Sequence, residues 1–319
     1  TANTMPQWAG SCWYYLAYIM RGNTNFKFPI SQYKDVFKKW LPVDMYVGGA
    51  EHATRHLIYA RFWHKFLFDI GVVSTEEPFK RLQHVGLIQA SDGRKMSKRY
   101  GNVINPDDII ETWGADTMRV YEMFMGPFAN SISWNTDSMI GSRRFLEKVW
   151  RLQEKVKDQT EKETGDLEIL LHKTVKKVGE DIESFSFNTA ISSLMILVNE
   201  MEKQEEVSIS YFEILLKLVT PFAPHMTDEL WSVLGSKESI YLENWPSFNT
   251  EKLVSNEVVV AIQVNGKTRG SITVERESTE DFVQNKAKLE VEKWLSEGNV
   301  RRVVYVKGRL INFVLEQKS

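Results

Sequence analysis

Two lysines three positions apart, with a serine between them, stand in the basic stretch Arg94-Lys95-Met96-Ser97-Lys98-Arg99-Tyr100-Gly101-Asn102. Such a pair on a mobile loop can close over a polyphosphate and neutralise charge as it develops there. The same composition also serves as a solvated surface turn, the commoner fate of Lys/Arg clusters. The flanks frame the loop. Upstream, Val85-Gly86-Leu87-Ile88 is an apolar run broken by glycine and reads as a short strand. Downstream, Asn105-Pro106-Asp107-Asp108 supplies the N-cap, first-turn proline and early carboxylates of a helix.

A second constellation lies nearer the N-terminus. Leu41 to Val47 reads as a buried strand ending at Gly48-Gly49, and Glu51-His52 opens a helix predicted to run to Ile70 and stop at Gly71. Strand, glycine pair and helix start make the nucleotide crevice of an open α/β sheet, and glycines let a ligand approach the backbone. His52 and His56, four apart, share one face of that helix, with Tyr59 and Trp63 roughly in line. A histidine pair at this spacing could hold zinc. The metalloprotease order His-Glu-x-x-His is absent, however, because Glu51 precedes the pair, and no protein-bound metal is predicted. Trp8 to Tyr18 carries five aromatics, with Gly10-Ser11 near its front. That suits a pocket floor leading into a helix, and equally a buried amphipathic helix.

These stretches resemble the class I aminoacyl-tRNA synthetases. Lys95-Met96-Ser97-Lys98 is similar to that family's second signature, Lys-Met-Ser-Lys-Ser, and Gly101 to Asp107 and Gly114-Ala115-Asp116-Thr117 match as well. Arg99 replaces the fifth-position serine and Tyr100 sits where lysine is common, which bears on loop mobility more than on chemistry. Thr4 to Tyr15 and Gly48 to Lys65 resemble the leucyl version. The resemblance implies catalytic roles for Lys95, Ser97 and Lys98, with Lys98 the main phosphate contact. It implies ATP binding by Gly48, Gly49, the Glu51 carboxylate on the ribose, and the backbone of Val85, Gly86, Leu87 and Ile88. Trp8, Tyr14, His52 and His56 would shape a leucine side-chain pocket, with Ser11 near the amino-acid end. Rings and neutral imidazoles suit a branched aliphatic group, although one methylene is worth only about 1–3 kcal/mol. ATP with Mg²⁺ on its phosphates, leucine and tRNA-Leu are the implied ligands, and the cytoplasm the implied compartment.

The elements that must position these groups follow from the rest of the chain. Its 319 residues, 43% hydrophobic and 26% charged with net charge −2, fit a globular protein of two or three domains. A lone cysteine, Cys12, excludes an intramolecular disulfide and a Cys-built metal site and fits a reducing cytosol. No run reaches membrane-spanning length and no signal peptide is visible. The expected fold class is multidomain. Residues 1–80 are the C-terminal half of a Rossmann-like α/β catalytic domain, and 81–145 a stem-contact region with the signature loop and two capped helices. Residues 146–250 form an α-helical bundle of the anticodon-binding type, and 255–319 a small α+β (ββαββ) domain that contacts tRNA in the family.

In the bundle, Leu146, Val149, Trp150 and Leu152 read as one apolar stripe. Leu170–Ile182, Phe187–Met201 and Ile209–Val219 read as helices, and Lys155 to Gly165 as a polar loop. Pro221 to His225 enters a further helix, with His225 structural, and Trp245-Pro246-Ser247 is a linker. The last module alternates from Glu257 to Val264, turns at Asn265-Gly266, returns from Lys267 to Val274, continues in a helix from Glu280 to Ser296, and closes with a hairpin around Gly308. Arg143 and Arg144, with Lys148 and Arg151, make either a charged solvent face or a phosphate contact with RNA. Lys267, Arg269, Arg301, Arg302, Lys307 and Arg309 lie on or beside the hairpins, either as phosphate contacts or as edge-strand protection.

The first class I signature, His-x-Gly-His, and a threonine-rich editing insertion are not found in these residues. The sequence is therefore expected to supply part of a leucine–tRNA ligase, inactive alone, with a separate N-terminal half carrying the first signature as one candidate partner and a truncation of the sequence as the other explanation. The alternatives are a non-catalytic tRNA-binding subunit and a valyl, isoleucyl or methionyl relative.

Overall fold

In the computed structural model the described residues are 7–21, 29–158, 165–253, 257–275, 277–296 and 298–316. Thr4 to Pro6, part of the leucyl-like stretch, lie outside them. The chain divides into two compact units: 1–151 with 178–195 and 219–241, and 152–177 with 196–218 and 242–319.

The first unit opens with a 3-10 turn, Gln7–Ala9, then helices α1 (Tyr14–Arg21) and α2 (Lys34–Trp40). Strand β1 (Tyr46–Gly49) is shorter and later than the Leu41–Val47 strand expected from sequence. Pro42 has no N–H to donate, so pairing begins with a single bridge between Val43 and Phe79, and the ladder proper begins at Tyr46. The strand also runs through both glycines rather than stopping before them.

The long helix expected from Glu51 is in fact two pieces. Ala50–Thr54 is a 3-10 turn, and α3 spans His56–Asp69. The break sits at Arg55, whose backbone (φ −131°, ψ −104°) leaves the helical region. Apolar periodicity continues across it, so spacing alone cannot reveal it. At the far end the chain leaves the helix through Gly71 at φ +68°, as expected. β2 (Leu82–Val85) pairs in parallel with β1, setting Gly49 opposite Val85. Tyr15, Leu16 and Met20 of α1, Phe37 of α2 and Leu67 of α3 make one buried core with Val72 and Val73.

β3 (Ile88–Gln89) leads into the basic loop and pairs in parallel with β4 (Ile132–Ser133). Between them lie α4 (Pro106–Trp113) and α5 (Ala115–Phe124). α4 starts as its sequence dictates, with the Asn105 side chain accepting from the Asp107 amide at 3.2 Å and Pro106 in the first turn. α5, expected to be capped, has Gly114 at its N-cap and no side-chain cap. Ile109, Tyr121, Trp134 and Met139 form the small core here, with Met96 and Trp113 packed against it. α6 (Met139–Leu152) buries Phe145, Leu146, Val149 and Leu152. Trp150, assigned to that stripe from sequence, is 41% exposed. It follows Val149 by one residue, about 100° around the helix.

A two-residue strand β5 (Val156–Lys157) follows, then α7 (Gly165–Glu183), α8 (Phe187–Lys203), β6 (Val207–Ser208), α9 (Ile209–Val219) and α10 (Pro224–Val233). The polar loop expected from Lys155 thus begins with a strand that pairs with β6, and 159–164 lie outside the described residues. Within the first unit, α10 docks on α5. The Asp116 carboxylate accepts from the amides of His225 (3.4 Å) and Met226 (2.8 Å) and pairs with His225 Nδ1 at 2.7 Å. Arg119 donates to the carbonyls of Pro221 (2.8 Å) and Phe222 (3.3 Å). The Pro221–His225 segment is therefore a docking joint, with the His225 ring held against Asp116.

The second unit ends in a four-stranded sheet of β7 (Glu257–Val264), β8 (Lys267–Glu275), β9 (Val300–Val306) and β10 (Leu310–Leu315), ordered β8-β7-β10-β9. Asn265 (φ 49°) and Gly266 (φ 77°) make the tight turn between β7 and β8. The expected Glu280–Ser296 helix breaks at Val291, giving α11 (Glu280–Glu290) and one turn, α12 (Glu292–Leu295). Val291 is fully buried at the break, and Trp294 and Leu295 pack on the same core beyond it. Ile262, Ile272, Ile311 and Phe313 fill that core against Val283 and Ala287. Among the described residues no helix is long and apolar enough to cross a membrane.

Candidate functional site

The basic loop is pinned at two points. Met96 enters the small core. Asn102 clamps the backbone, accepting from the Ser97 amide at 2.9 Å and donating to the Lys95 carbonyl at 3.4 Å. Ser97 caps the 3-10 turn Lys98–Tyr100, its hydroxyl accepting from the Arg99 amide at 3.3 Å, and Gly101 (φ +63°) ends it. Arg94 is committed locally: it pairs with Asp92 at 2.6 Å and lies 4.9 Å from the Tyr100 ring centre. That pairing holds the Asp92 carboxyl below its usual range. Lys95 and Lys98 are exposed, and neither has an ion-pair partner among the described residues. The loop thus offers two unneutralised cations on a fixed backbone, while the Ser97 hydroxyl is engaged in shaping it.

The run Val85 to Ile88 is less available than its sequence implied. The Gly86 amide donates to the Phe128 carbonyl at 2.8 Å, the Leu87 amide to Ser131 Oγ at 3.3 Å, and the Leu87 carbonyl accepts from Ile132 at 3.1 Å. A Cβ on Gly86 would fall 1.8 Å from the Asn130 carbonyl oxygen. This glycine is required by the close approach of its own neighbouring loop, and the two amides are already spent inside the fold.

At the end of β1, an added Cβ on Gly48 would meet open space, whereas at Gly49 it would meet the Glu51 carboxylate at 2.2 Å. The Glu51 side chain is therefore folded back over Gly49 and remains exposed. Beyond it a cavity of about 250 Å³ is lined by Gly48 and Gly49 together with Tyr46, His52, His56 and His84.

A directed hydrogen-bond chain fixes Tyr46 and His56 in the wall of this pocket. Tyr14 donates its hydroxyl to Tyr46 Oη at 2.8 Å, and Tyr46 Oη lies 2.6 Å from His56 Nε2. His56 Nδ1 lies 3.3 Å from Ser11 Oγ, and Ser11 donates to the Trp8 carbonyl at 3.0 Å. With each hydroxyl proton assigned, only one arrangement satisfies the chain. Tyr46 donates to Nε2, and the imidazole proton sits on Nδ1 and points at Ser11. Burial first, and the neighbouring His52 second, lower the His56 pKa, while burial and the Tyr14 hydrogen bond raise that of Tyr46. Both groups are neutral at pH 7. Trp8 meets His52 edge-on at 5.9 Å, and His52 meets His56 at 6.2 Å. The His52 Nδ1 atom is buried without a partner.

Trp8, Ser11, Tyr14, His52 and His56 thus converge as one cluster, although the two histidines sit on either side of the Arg55 break. Sequence reasoning missed Tyr46 and His84. Tyr46 stands two residues before Gly48, so strand alternation sets both on the same face. Among the described residues no three His, Cys, Asp or Glu side chains converge to hold a metal.

The basic residues divide. On α6, Arg143 pairs with Glu147 at 2.9 Å, and Arg144 is exposed. In the sheet, Lys267 follows the β7–β8 turn, and Arg301 and Arg302 begin β9 at that same end, because β9 Val300 lies opposite β10 Leu315. Lys307 and Arg309 flank the turn at the opposite end, about 20 Å away for a six-residue run of strand. Lys307 pairs with Glu277 at 2.8 Å, and Arg269 stacks 5.6 Å from the Trp294 ring centre. Six residues that look like one cluster in sequence occupy two ends and one face.

Two family profiles match: the tRNA synthetases class I (I, L, M and V) over residues 11–135, and the anticodon-binding domain of tRNA ligase over 167–284. A LeuRS of Agrobacterium radiobacter K84, solved as a LeuRS–tRNA–LeuAMS ternary complex, is 31% identical with a TM-score of 0.74, covering 99% of this chain. The chain spans 43% of that protein's length. A Mycobacterium tuberculosis methionyl-tRNA synthetase bound by methionyl-adenylate shares the fold at 19% identity, TM-score 0.51, over 72% of this chain and 50% of its own.

Proposed function

The chain belongs to the class I aminoacyl-tRNA synthetases, and we propose that it supplies the leucine pocket, the signature loop and the tRNA-binding modules of a leucine–tRNA ligase. One observation carries this reading. A single cavity is lined both by the glycine backbone at the end of β1 and by the rings of His52 and His56. A ligand there can set a polar end on the glycines and an uncharged side chain against the imidazoles.

In the reaction, the leucine carboxylate oxygen attacks the α-phosphorus of ATP. The bond to the β-phosphate oxygen breaks, releasing pyrophosphate and leaving leucyl-adenylate. A terminal ribose hydroxyl of tRNA-Leu then attacks the acyl carbon, losing its proton, and AMP departs. Lys95 and Lys98 would take up the charge developing on the leaving pyrophosphate, and Glu51 would hold the adenosine ribose. No acidic cage is present among the described residues, so Mg²⁺ would ride on phosphate oxygens and water. Lys267, Arg269, Arg301, Arg302, Lys307, Arg309, Arg143 and Arg144 would contact tRNA phosphates, in two separated groups on the sheet and one on α6.

The first unit supports a partner that completes it. Its β1–β2 sheet has two strands among the described residues, and α3 exposes Ile58, Tyr59, Phe62 (71%) and Phe66. Parallel sheets are otherwise covered on both faces. A polypeptide carrying the His-x-Gly-His half would pack there. The test is leucine-dependent ATP–pyrophosphate exchange by the chain alone and mixed with that half. Exchange only in the mixture is the expected result, with isoleucine, valine and methionine failing to replace leucine. No exchange in either, with tRNA still bound, would replace this reading by a non-catalytic tRNA-binding chain.

A further inference from the structure

A second cavity in the first unit, about 680 Å³, lies away from the signature loop, between the α4–α5 junction, α6 and the start of α10. It has the volume of a small-ligand site, and the proposed reaction leaves it unused. Its walls include two indoles, Trp113 and Trp150, with Leu146 and Met226. Most of its polar groups are already engaged. Asp116 holds the α10 amides and His225, and Glu147 pairs with Arg143. Arg151 lines the cavity and has no ion-pair partner among the described residues, and exposed Arg144 stands seven positions before it on α6. Seven residues are two helical turns, about 11 Å, so these two cations lie on one side of the helix.

Flat aromatic walls accept any base face, and arginines at the rim accept phosphate. Together these are the means by which proteins hold unstacked nucleotides. An apolar peptide would use the indoles but leave the arginines without a counter-charge. We propose that this cavity takes one unstacked base of the bound RNA, stacked on Trp113 and Trp150, with its flanking phosphates on Arg144 and Arg151. This rests on reading the chain as a tRNA-binding protein.

The experiment uses the full chain and a leucine-acceptor tRNA transcript carrying 4-thiouridine at random uridine positions. After irradiation, adducts are mapped by mass spectrometry, and affinities are measured over a salt series. Adducts are expected on peptides bearing Trp113, Trp150 or Met226. Trp150→Ala should weaken tRNA binding roughly tenfold or more, from the loss of a stacked base. Trp150→Phe, which keeps a π-face, should stay within about threefold of wild type. Arg151→Gln should lower the slope of log affinity against log salt by about one. Thermal melting of each variant separates a folding failure from lost binding, and Arg151→Gln, on an exposed side chain, tests the site even if Trp150→Ala misfolds. tRNA binding unchanged by all three substitutions, with adducts confined to the C-terminal sheet, would overturn the proposal and leave the cavity to an apolar peptide. Absence of tRNA binding by the wild-type chain would overturn instead the reading on which it rests.

Discussion

Tyr46→Phe removes one oxygen from the wall of the pocket and leaves its shape intact. Two hydrogen bonds go with it: the donation to His56 Nε2 at 2.6 Å and the acceptance from Tyr14 at 2.8 Å. A net 0.5–1.5 kcal/mol for each gives a loss of about 1–3 kcal/mol at pH 8. At about 3 °C per kcal/mol for a unit of this size, melting should fall by roughly 5 °C. The pH dependence adds a second, independent readout. His56 is neutral in the folded chain with its pKa below the ordinary value, through burial and His52, and in the unfolded chain it titrates near 6.5. Below about pH 6.5 the unfolded state therefore binds more protons, and stability falls as pH drops toward the lowered native value. The Tyr46 hydroxyl donates to the neutral ring, a bond that protonation of Nε2 would break. Without it the His56 pKa rises, and the acid-side loss of stability shrinks. Urea unfolding at pH 8 and pH 5.5 measures both effects, and nitrogen-15 shifts of the His56 ring report the tautomer and pKa directly. A variant within about 0.5 kcal/mol of wild type at pH 8 would refute the reasoning. So would a wild-type ring proton found on Nε2, since the chain from Tyr14 to Trp8 requires it on Nδ1.

Lys98→Ala should leave the melting temperature unchanged, because the side chain is exposed with no ion-pair partner among the described residues, yet lower exchange in the completed enzyme by about 10²–10³-fold. Asn102→Ala removes the clamp on Ser97 and Lys95. It should cost about 1 kcal/mol of stability by melting and reduce exchange while Lys98 itself is intact. Asp116→Ala strips the α10 start of its acceptor and should destabilise the first unit by about 1–2 kcal/mol in urea. Gly86→Ala, with its Cβ driven into the Asn130 carbonyl, should be worse still, by more than about 2 kcal/mol in the same assay.

What the sequence made legible was local and periodic. The Asn105-Pro106 start of α4, the Asn265-Gly266 turn and the helices at 187 and 209 each depend on side chains or φ angles set within a few residues. The failures came where a single residue interrupts a pattern that continues on both sides. Arg55 and Val291 break helices whose apolar spacing carries straight through them. Trp150 belongs to the apolar count of α6 but not to its buried arc. The pocket was legible as a set of residue types, but its hydrogen bonding was not, because Tyr46 and His56 are joined through a strand and a helix that only the tertiary fold brings together. The six basic residues of the last module failed differently. Their closeness to two hairpins is a fact of sequence, and the parallel pairing of β10 with β7 then sends the two groups to opposite ends of the sheet.

The proposed function sets two opposed electrostatic demands within one unit: an aliphatic side chain held among uncharged groups, and a polyphosphate held where cations are free. His56 stands among aromatic rings, where burial disfavours the imidazolium. Lys95 and Lys98 stay exposed, with no ion-pair partner among the described residues. The link between the two sites is short in topology: β2 ends opposite Gly49 of the pocket, β3 begins three residues later, and Gln89 of β3 bridges to Lys95. Each site nevertheless has its own anchor, Ser11 and Tyr46 for the imidazole and Met96 and Asn102 for the loop. Loosening one should leave the other's protonation and geometry alone. Tyr46→Phe and Asn102→Ala, combined in one chain, should therefore give losses of stability that add to within about 0.5 kcal/mol, and coupling beyond that would mean that the pocket and the loop move as one body.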